Sequence, residues 1–258
     1  MQRRLASAAG LALLALVAVP ARSVTITNVT TSTVEFRDNF ENGSFTPSVG
    51  FWDLVGPDVT VQNSTVPPLP GPAEGSFYAE LFRDSDTRDQ GNLQAVLAAP
   101  QTTVGDLIRL SMMVFIPADD TSAARAQLIL DDGDVTTARA WVVPDGNGNV
   151  MAVGPAPTFT YADTGLDYTP GVWQEWDLEY AVGATTFSVT VNGVTASGFT
   201  SPTSGGVDKA DLFNGVSDPA GVFYLDAVPS AETTTPEPDT CVLAGLALAA
   251  LAARRSRR

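Results

Sequence analysis

Val24 to Pro229 is predicted to fold as an antiparallel all-β sandwich or barrel. Apolar residues alternate with polar ones in short runs, turn residues separate those runs, and no stretch has the period of an amphipathic helix. Taken in order, Val34 to Phe36 reads as a strand leading into Asp38-Asn-Phe-Glu41. Val66 to Ala73 is proline-rich and reads as a loop. Ser76 to Phe82 sets Phe77, Ala79 and Leu81 on one face and Tyr78, Glu80 and Phe82 on the other. Leu107 to Ile116 and Ala126 to Leu130 are further strands. The clearest run is Thr186 to Thr195: Phe187, Val189 and Val191 share a face, and Asn192-Gly193 supplies the positive φ angles of a two-residue hairpin turn. Val222 to Val228 closes the unit, whose length suits one all-β domain.

The flanks read differently. Arg3 and Arg4 precede the apolar run Leu11 to Val19, and Ala21-Arg22-Ser23 places small residues around a cut near Ser23. Residues 1–23 are therefore expected to be a cleaved signal peptide. The alternative is a retained anchor, but the apolar run is too short for a hydrocarbon core about 30 Å thick. At the other end, 230–238 is a linker containing Pro236, Glu237 and Pro238. Residues 239–258 hold the apolar run Cys241 to Ala253, read as a short hydrophobic helix, and the cluster Arg254, Arg255, Arg257 and Arg258. Those arginines favour the cytoplasmic side of a membrane, so the segment is expected to insert, either transiently or as a permanent tail anchor.

The order Pro-Glu-Pro, apolar run, arginine cluster resembles the PEP-CTERM sorting signal of bacteria. The resemblance implies that an exosortase recognises the tail and cuts near Pro236-Glu237-Pro238. The protein is then released or attached at the cell surface, often amid exopolysaccharide.

Between Val24 and Pro238 there are 28 Asp and Glu against 7 Lys and Arg, a net charge of −21. Such a surface repels phosphate backbones and anionic headgroups, which argues against a nucleic-acid partner. It suits hard cations such as calcium, or solubility alone. The chain has no histidine, and its only cysteine, Cys241, lies in the tail. Ser-His-Asp and Cys-His catalysis, His-ligated zinc and disulfides within the domain are thereby excluded.

Within the domain, Phe36-Arg-Asp-Asn-Phe-Glu-Asn-Gly43, Pro170-Gly-Val-Trp-Gln-Glu-Trp-Asp-Leu-Glu-Tyr180, Phe187-Ser-Val-Thr-Val-Asn-Gly193 and Phe223-Tyr-Leu-Asp-Ala-Val228 follow one another. That order resembles the concanavalin A-like (laminin-G-like) jelly rolls. The resemblance implies two packed antiparallel sheets, in a superfamily that holds lectins, glycan-binding modules, glycosidases, lyases and adhesion domains; fold alone does not choose among them.

On a strand, Trp173, Glu175, Asp177 and Glu179 share a face, opposite Trp176, Leu178 and Tyr180. Three alternating carboxylates resemble the Glu-x-Asp-x-Glu signature of retaining β-glucanases, in which the outer glutamates act as nucleophile and acid/base. Retention needs carboxyls about 5–5.5 Å apart, whereas i and i+4 lie about 13 Å apart at the backbone. A solvated strand of an acidic protein shows the same alternation. The jelly-roll resemblance also implies neighbouring first and last strands whose carboxylates can hold calcium, here Asp38 and Glu41 with Asp226; the other reading has Asp226 bonding only to nearby backbone. Asp145 to Asn149 begins like an EF-hand loop but has Val150 and Ala156 where glycine and glutamate are needed, and reads as a hairpin turn. Asn28, Asn42 and Asn63 fit the glycosylation triplet. Trp173, Tyr161 and Tyr168 are candidate sugar-stacking residues, if exposed.

The combined expectation is an exported, non-catalytic bacterial surface or matrix protein whose jelly roll binds glycan, with exosortase and extracellular polysaccharide as partners and calcium only as a candidate structural ion. A glycoside hydrolase or polysaccharide lyase acting through Glu175, Asp177 and Glu179 is one alternative. A purely structural surface protein is the other.

Overall fold

Strands that are apolar on one face only must pair edge to edge and stack those faces together. A computed structural model describes residues 24–65, 69–73, 75–83, 91–118, 126–132, 137–214 and 221–226. All belong to one unit, Ala21–Pro229. The expected signal peptide, linker, hydrophobic helix and arginine cluster lie outside the described residues.

The strands are β1 (Val24–Asn28), β2 (Thr33–Asp38), β3 (Phe51–Val55), β4 (Val59–Gln62), β5 (Tyr78–Arg83), β6 (Asn92–Gln101), β7 (Leu107–Phe115), β8 (Ala126–Asp131), β9 (Ala140–Pro144), β10 (Asn149–Val153), β11 (Tyr161–Asp167), β12 (Gln174–Ala181), β13 (Thr186–Val191), β14 (Val194–Thr200), β15 (Val207–Asn214) and β16 (Gly221–Asp226). They form two antiparallel sheets. Sheet A runs β14-β13-β12-β7-β16-β5-β4, and sheet B runs β11-β10-β9-β8-β15-β6-β3. The all-β sandwich expected from the alternation is therefore what forms.

The inner faces meet as the alternation dictates. Sheet A contributes Ile108, Leu110, Met112 and Val114 from β7, Trp176, Leu178 and Tyr180 from β12, and Phe187, Val189 and Val191 from β13. Sheet B answers with Leu93, Ala95, Leu128, Leu130, Val142, Ala152, Ala210 and Leu212. Burying each large apolar side chain stabilises the fold by about 1.5–3 kcal/mol. The β13–β14 hairpin closes on Asn192 (φ 48°) and Gly193 (φ 78°), with Val191 opposite Val194. Asp145 caps the β9–β10 turn by accepting the N–H groups of Asn147 and Asn149, each at 2.8 Å.

β7 is the long central strand, and its second edge is shared. Asp226 of β16 lies opposite Met113, and Thr25 of β1 lies opposite Ser111. The last strand thus ends where the first begins, in line along one edge. The first and last strands are end to end rather than side by side, and this arrangement decides the fate of the expected calcium ligands.

Packing decides two residues that the sequence leaves open. Tyr168 is buried at 6% exposure, tilted against Trp176, with its hydroxyl donating to the Asp145 carbonyl at 2.6 Å. It is a core residue and presents no ring to a sugar. Asn28 is 3% exposed, and its amide donates to Gln101 Oε1 and Asp106 Oδ2, so it cannot act as a glycosylation acceptor in the folded domain.

Candidate functional site

β12 alternates buried and half-buried residues along its whole length. Trp176, Leu178 and Tyr180 point into the core, so Glu175, Asp177 and Glu179 project from the outer face of sheet A. Register sets their neighbours. Glu175 lies opposite Met113; Asp177 lies between Ser111 and Thr190; Glu179 lies between Arg109 and Ser188. Arg109 grips Glu179 with both Nε (2.6 Å) and Nη2 (2.5 Å) on Oε1, while Ser188 Oγ reaches Oε2 at 3.4 Å. Asp177 Oδ1 is buried with no hydrogen-bond partner. Thr190 and Thr195 exchange a hydroxyl hydrogen bond of 2.8 Å. This half of the face is a ladder of carboxylates and hydroxyls.

The other half is aromatic. Tyr78, Phe115, Trp173 and Tyr224 form a closed circuit of ring contacts: Tyr78–Trp173 at 6.1 Å, Trp173–Phe115 at 5.5 Å, Phe115–Tyr224 at 5.8 Å and Tyr224–Tyr78 at 5.7 Å. The tilted and edge-to-face geometries are those aromatic quadrupoles prefer. Trp173 Nε1 donates to the Gly71 carbonyl at 2.9 Å, which fixes the indole plane. Glu80 lies opposite Tyr224 in the same row. Burial raises its carboxyl above the ordinary value, partly offset by the Gln62 side chain. Burial, then the charge of Glu80, pushes the Tyr78 phenol up.

The residues expected to hold calcium are not gathered. Phe36 faces the core, so Asp38, two residues on, shares that inner face. It is 2% exposed and accepts Trp52 Nε1 at 2.7 Å and Phe40 N at 2.8 Å. Leu225 faces the core, so Asp226 projects from the outer face, where it accepts Ala73 N at 2.6 Å. Glu41 accepts the backbone N–H groups of Ser76 and Phe77. Each carboxylate serves protein donors, and no group of three Asp, Glu, His or Cys suited to a metal occurs among the described residues.

Of the three stacking candidates, Trp173 alone lies on this face. Tyr161 is 56% exposed but belongs to β11, an edge strand of sheet B, and Tyr168 is in the core. Sequence reasoning missed Tyr78, Glu80, Phe115, Tyr224 and Arg109 as neighbours of Trp173 and Glu179. The available signal was parity: Tyr78 and Glu80 alternate with core Ala79 and Leu81, and Tyr224 sits between core Phe223 and Leu225. The Arg109 contacts draw Glu179 across to β7 instead of along its own strand toward Glu175.

Residues 234–258 match the PEP-CTERM protein-sorting motif. The motif marks the chain as exported and directed to the cell surface, and it implies processing of the exosortase type. No curated protein sequence matches the chain. Among solved structures, a sialidase superposes with a TM-score of 0.52 at 12% identity, over 77% of this chain and 18% of that one. This chain therefore spans about a fifth of that protein, and the likeness extends to fold only. A carbohydrate-binding module, CBM66 of Bacillus subtilis, matches with a TM-score of 0.40 at 10% identity, over 70% of this chain and 92% of that one. An alginate lyase from Corynebacterium sp. matches with a TM-score of 0.41 at 12% identity, over 58% and 74% respectively.

Proposed function

We propose that the exported domain binds polysaccharide at the cell surface through the outer face of sheet A, without cleaving it. The observation that carries this reading is the setting of Trp173. The half-buried indole is held by its bond to the Gly71 carbonyl and by the Phe115 ring, and by alternation it shares the outer face of the sheet with Glu175, Asp177 and Glu179. A fixed aromatic plane next to polar side chains suits a sugar, whose ring has apolar C–H faces and a hydroxyl periphery. Arg109 and Glu179 are locked to each other, which suits positioning more than proton transfer.

In this reading the signal peptide is cleaved near Ser23, and an exosortase cuts near Pro236-Glu237-Pro238. The domain 24–229 is then left among extracellular polysaccharide. The test is affinity electrophoresis of the purified 24–229 domain through gels containing laminarin, xylan, alginate or chitosan. Retardation by at least one polysaccharide, abolished in Trp173→Ala, is the expected outcome. Unretarded migration in all four gels by folded protein counts against binding.

A further inference from the structure

Charge is spread unevenly over the outer face of sheet A. Along the neighbouring strands β14, β13, β12 and β7, the charged residues are Glu175, Asp177, Glu179 and Arg109. β13 and β14 carry none, and they turn Ser188, Thr190, Thr195 and Ser197 to this face. Arg109 is the one cation of these strands, and Glu179 already holds it.

Asp177 has a different setting. Register aligns it in a row across five strands: Thr25, Ser111, Asp177, Thr190 and Thr195. Its two flanking positions are therefore hydroxyls, not cations, and Thr190 and Thr195 are bonded to each other. Asp177 is half-buried, and its Oδ1 has no hydrogen-bond partner. A carboxylate partly withdrawn from water and unmatched by a cation is unfavourable, and a positive group brought to its open side offsets that. Trp173 stands four residues earlier on the same face, about 13 Å away at the backbone. One pyranose ring on the indole does not reach the carboxylate, whereas a chain of several does.

We propose that this face takes a cationic polysaccharide, a polymer of hexosamine with free amino groups, and that Asp177 sets this specificity by receiving an ammonium. The proposal rests on the binding reading above and names its substrate class. A neutral hexose polymer keeps the Trp173 plane but brings no charge to Asp177. A uronate polymer adds carboxylates beside three already present and is rejected.

The test compares three β-1,4-linked hexamers that differ chiefly in charge: glucosamine hexamer, cellohexaose and mannuronate hexamer. Isothermal titration calorimetry on the 24–229 domain is run at mildly acidic pH, where hexosamine amines are charged. Glucosamine hexamer is expected to bind at least about tenfold more tightly than cellohexaose, the scale of one charge-assisted hydrogen bond, and mannuronate hexamer not to bind. Asp177→Asn, with native circular dichroism, should abolish that preference. Asp163→Asn, exposed on β11 of sheet B, removes the same charge elsewhere and should preserve it.

If cellohexaose or mannuronate hexamer binds as tightly as glucosamine hexamer, the binding reading stands and the substrate class is wrong. If Asp163→Asn weakens binding as much as Asp177→Asn, or a lysine hexamer binds equally well, the attraction is to net charge and the proposal is overturned. If no hexamer binds but a laminarin, xylan or alginate gel retards the domain, the class alone falls. If nothing binds or retards, the binding reading falls and the class with it.

Discussion

Asp38 and Asp226 project from opposite faces of sheet A, the first toward Trp52 in the core and the second toward Ala73 outside it. A single ion cannot bridge them, and each already accepts protein donors. Calcium is therefore expected to leave stability unchanged. Thermal midpoints of the 24–229 domain in millimolar calcium and in chelator should coincide. A calcium-dependent rise of several degrees, the shift that about 1 kcal/mol of binding would give, would show a site elsewhere in the acidic surface.

The same Asp38 sets a pH dependence. Burial is the largest influence on its carboxyl and raises it above the ordinary value of 3.8, against the opposing bonds from Trp52 and Phe40. Burial also raises Glu80 and Asp208. A raised native value means that the folded state binds the proton more tightly than the unfolded one. Stability from these groups is then gained as pH falls from the raised value toward the ordinary one, and is lost as pH rises through that window. Asp145 acts oppositely: against the upward push of its burial, bonds from Asn149 and Asn147 hold it low, and its contribution fades only below 3.8. Urea midpoints should therefore rise between neutrality and about pH 4.5, with a shallower slope in Asp38→Asn. A midpoint that falls over this interval would contradict the burial argument.

Trp173 and Trp176 are three residues apart and face opposite ways, so truncating them should have different consequences. Trp176 is 2% exposed among core side chains, and Trp176→Ala is expected to cost about 3–5 kcal/mol, a large share of a domain's total stability. Trp173→Ala loses two ring contacts and the bond to the Gly71 carbonyl, together about 2–4 kcal/mol. It should keep its native circular dichroism and a single cooperative urea transition, at a lower midpoint, while polysaccharide retardation disappears. Equal unfolding of both variants would place Trp173 in the framework and not in the site.

The division between inner and outer residues was legible in the sequence wherever polarity alternated strictly, as in Thr186–Val191 and Gln174–Ala181. Asn192-Gly193 also forms the turn its composition requires. The aromatic circuit was not legible. Its rings come from positions 78, 115, 173 and 224, and only the pairing of β5, β16, β7 and β12 makes them neighbours. The calcium expectation failed to assemble for a related reason. Side-chain parity is local, but whether β1 and β16 lie beside each other or end to end is decided by how β7 divides its edge. Tyr168 follows the exposed residues of β11, yet its N–H bonds to the Gly148 carbonyl and its ring turns inward to Trp176.

The Glu175-x-Asp177-x-Glu179 pattern yields the last prediction. A retaining hydrolase needs its two carboxyls about 5–5.5 Å apart, and residues four apart on a strand are separated by about 13 Å at the backbone. Leaning could close part of that gap, but Glu179 leans across to Arg109, whose guanidinium holds it with two contacts. Releasing it is the informative perturbation. Arg109→Met frees Glu179 while keeping the aliphatic stem. If the pattern were a disabled or occluded catalytic pair, reducing-sugar release from laminarin or xylan would appear or increase in this variant and vanish in Arg109→Met/Glu175→Gln. The expected outcome is no hydrolysis by the parent domain, by Arg109→Met or by Glu175→Gln. Arg109→Met should lose only about 0.5–1 kcal/mol of stability, the contribution of a half-exposed ion pair. Turnover by the parent that Glu175→Gln abolishes would instead make the strand face an active site.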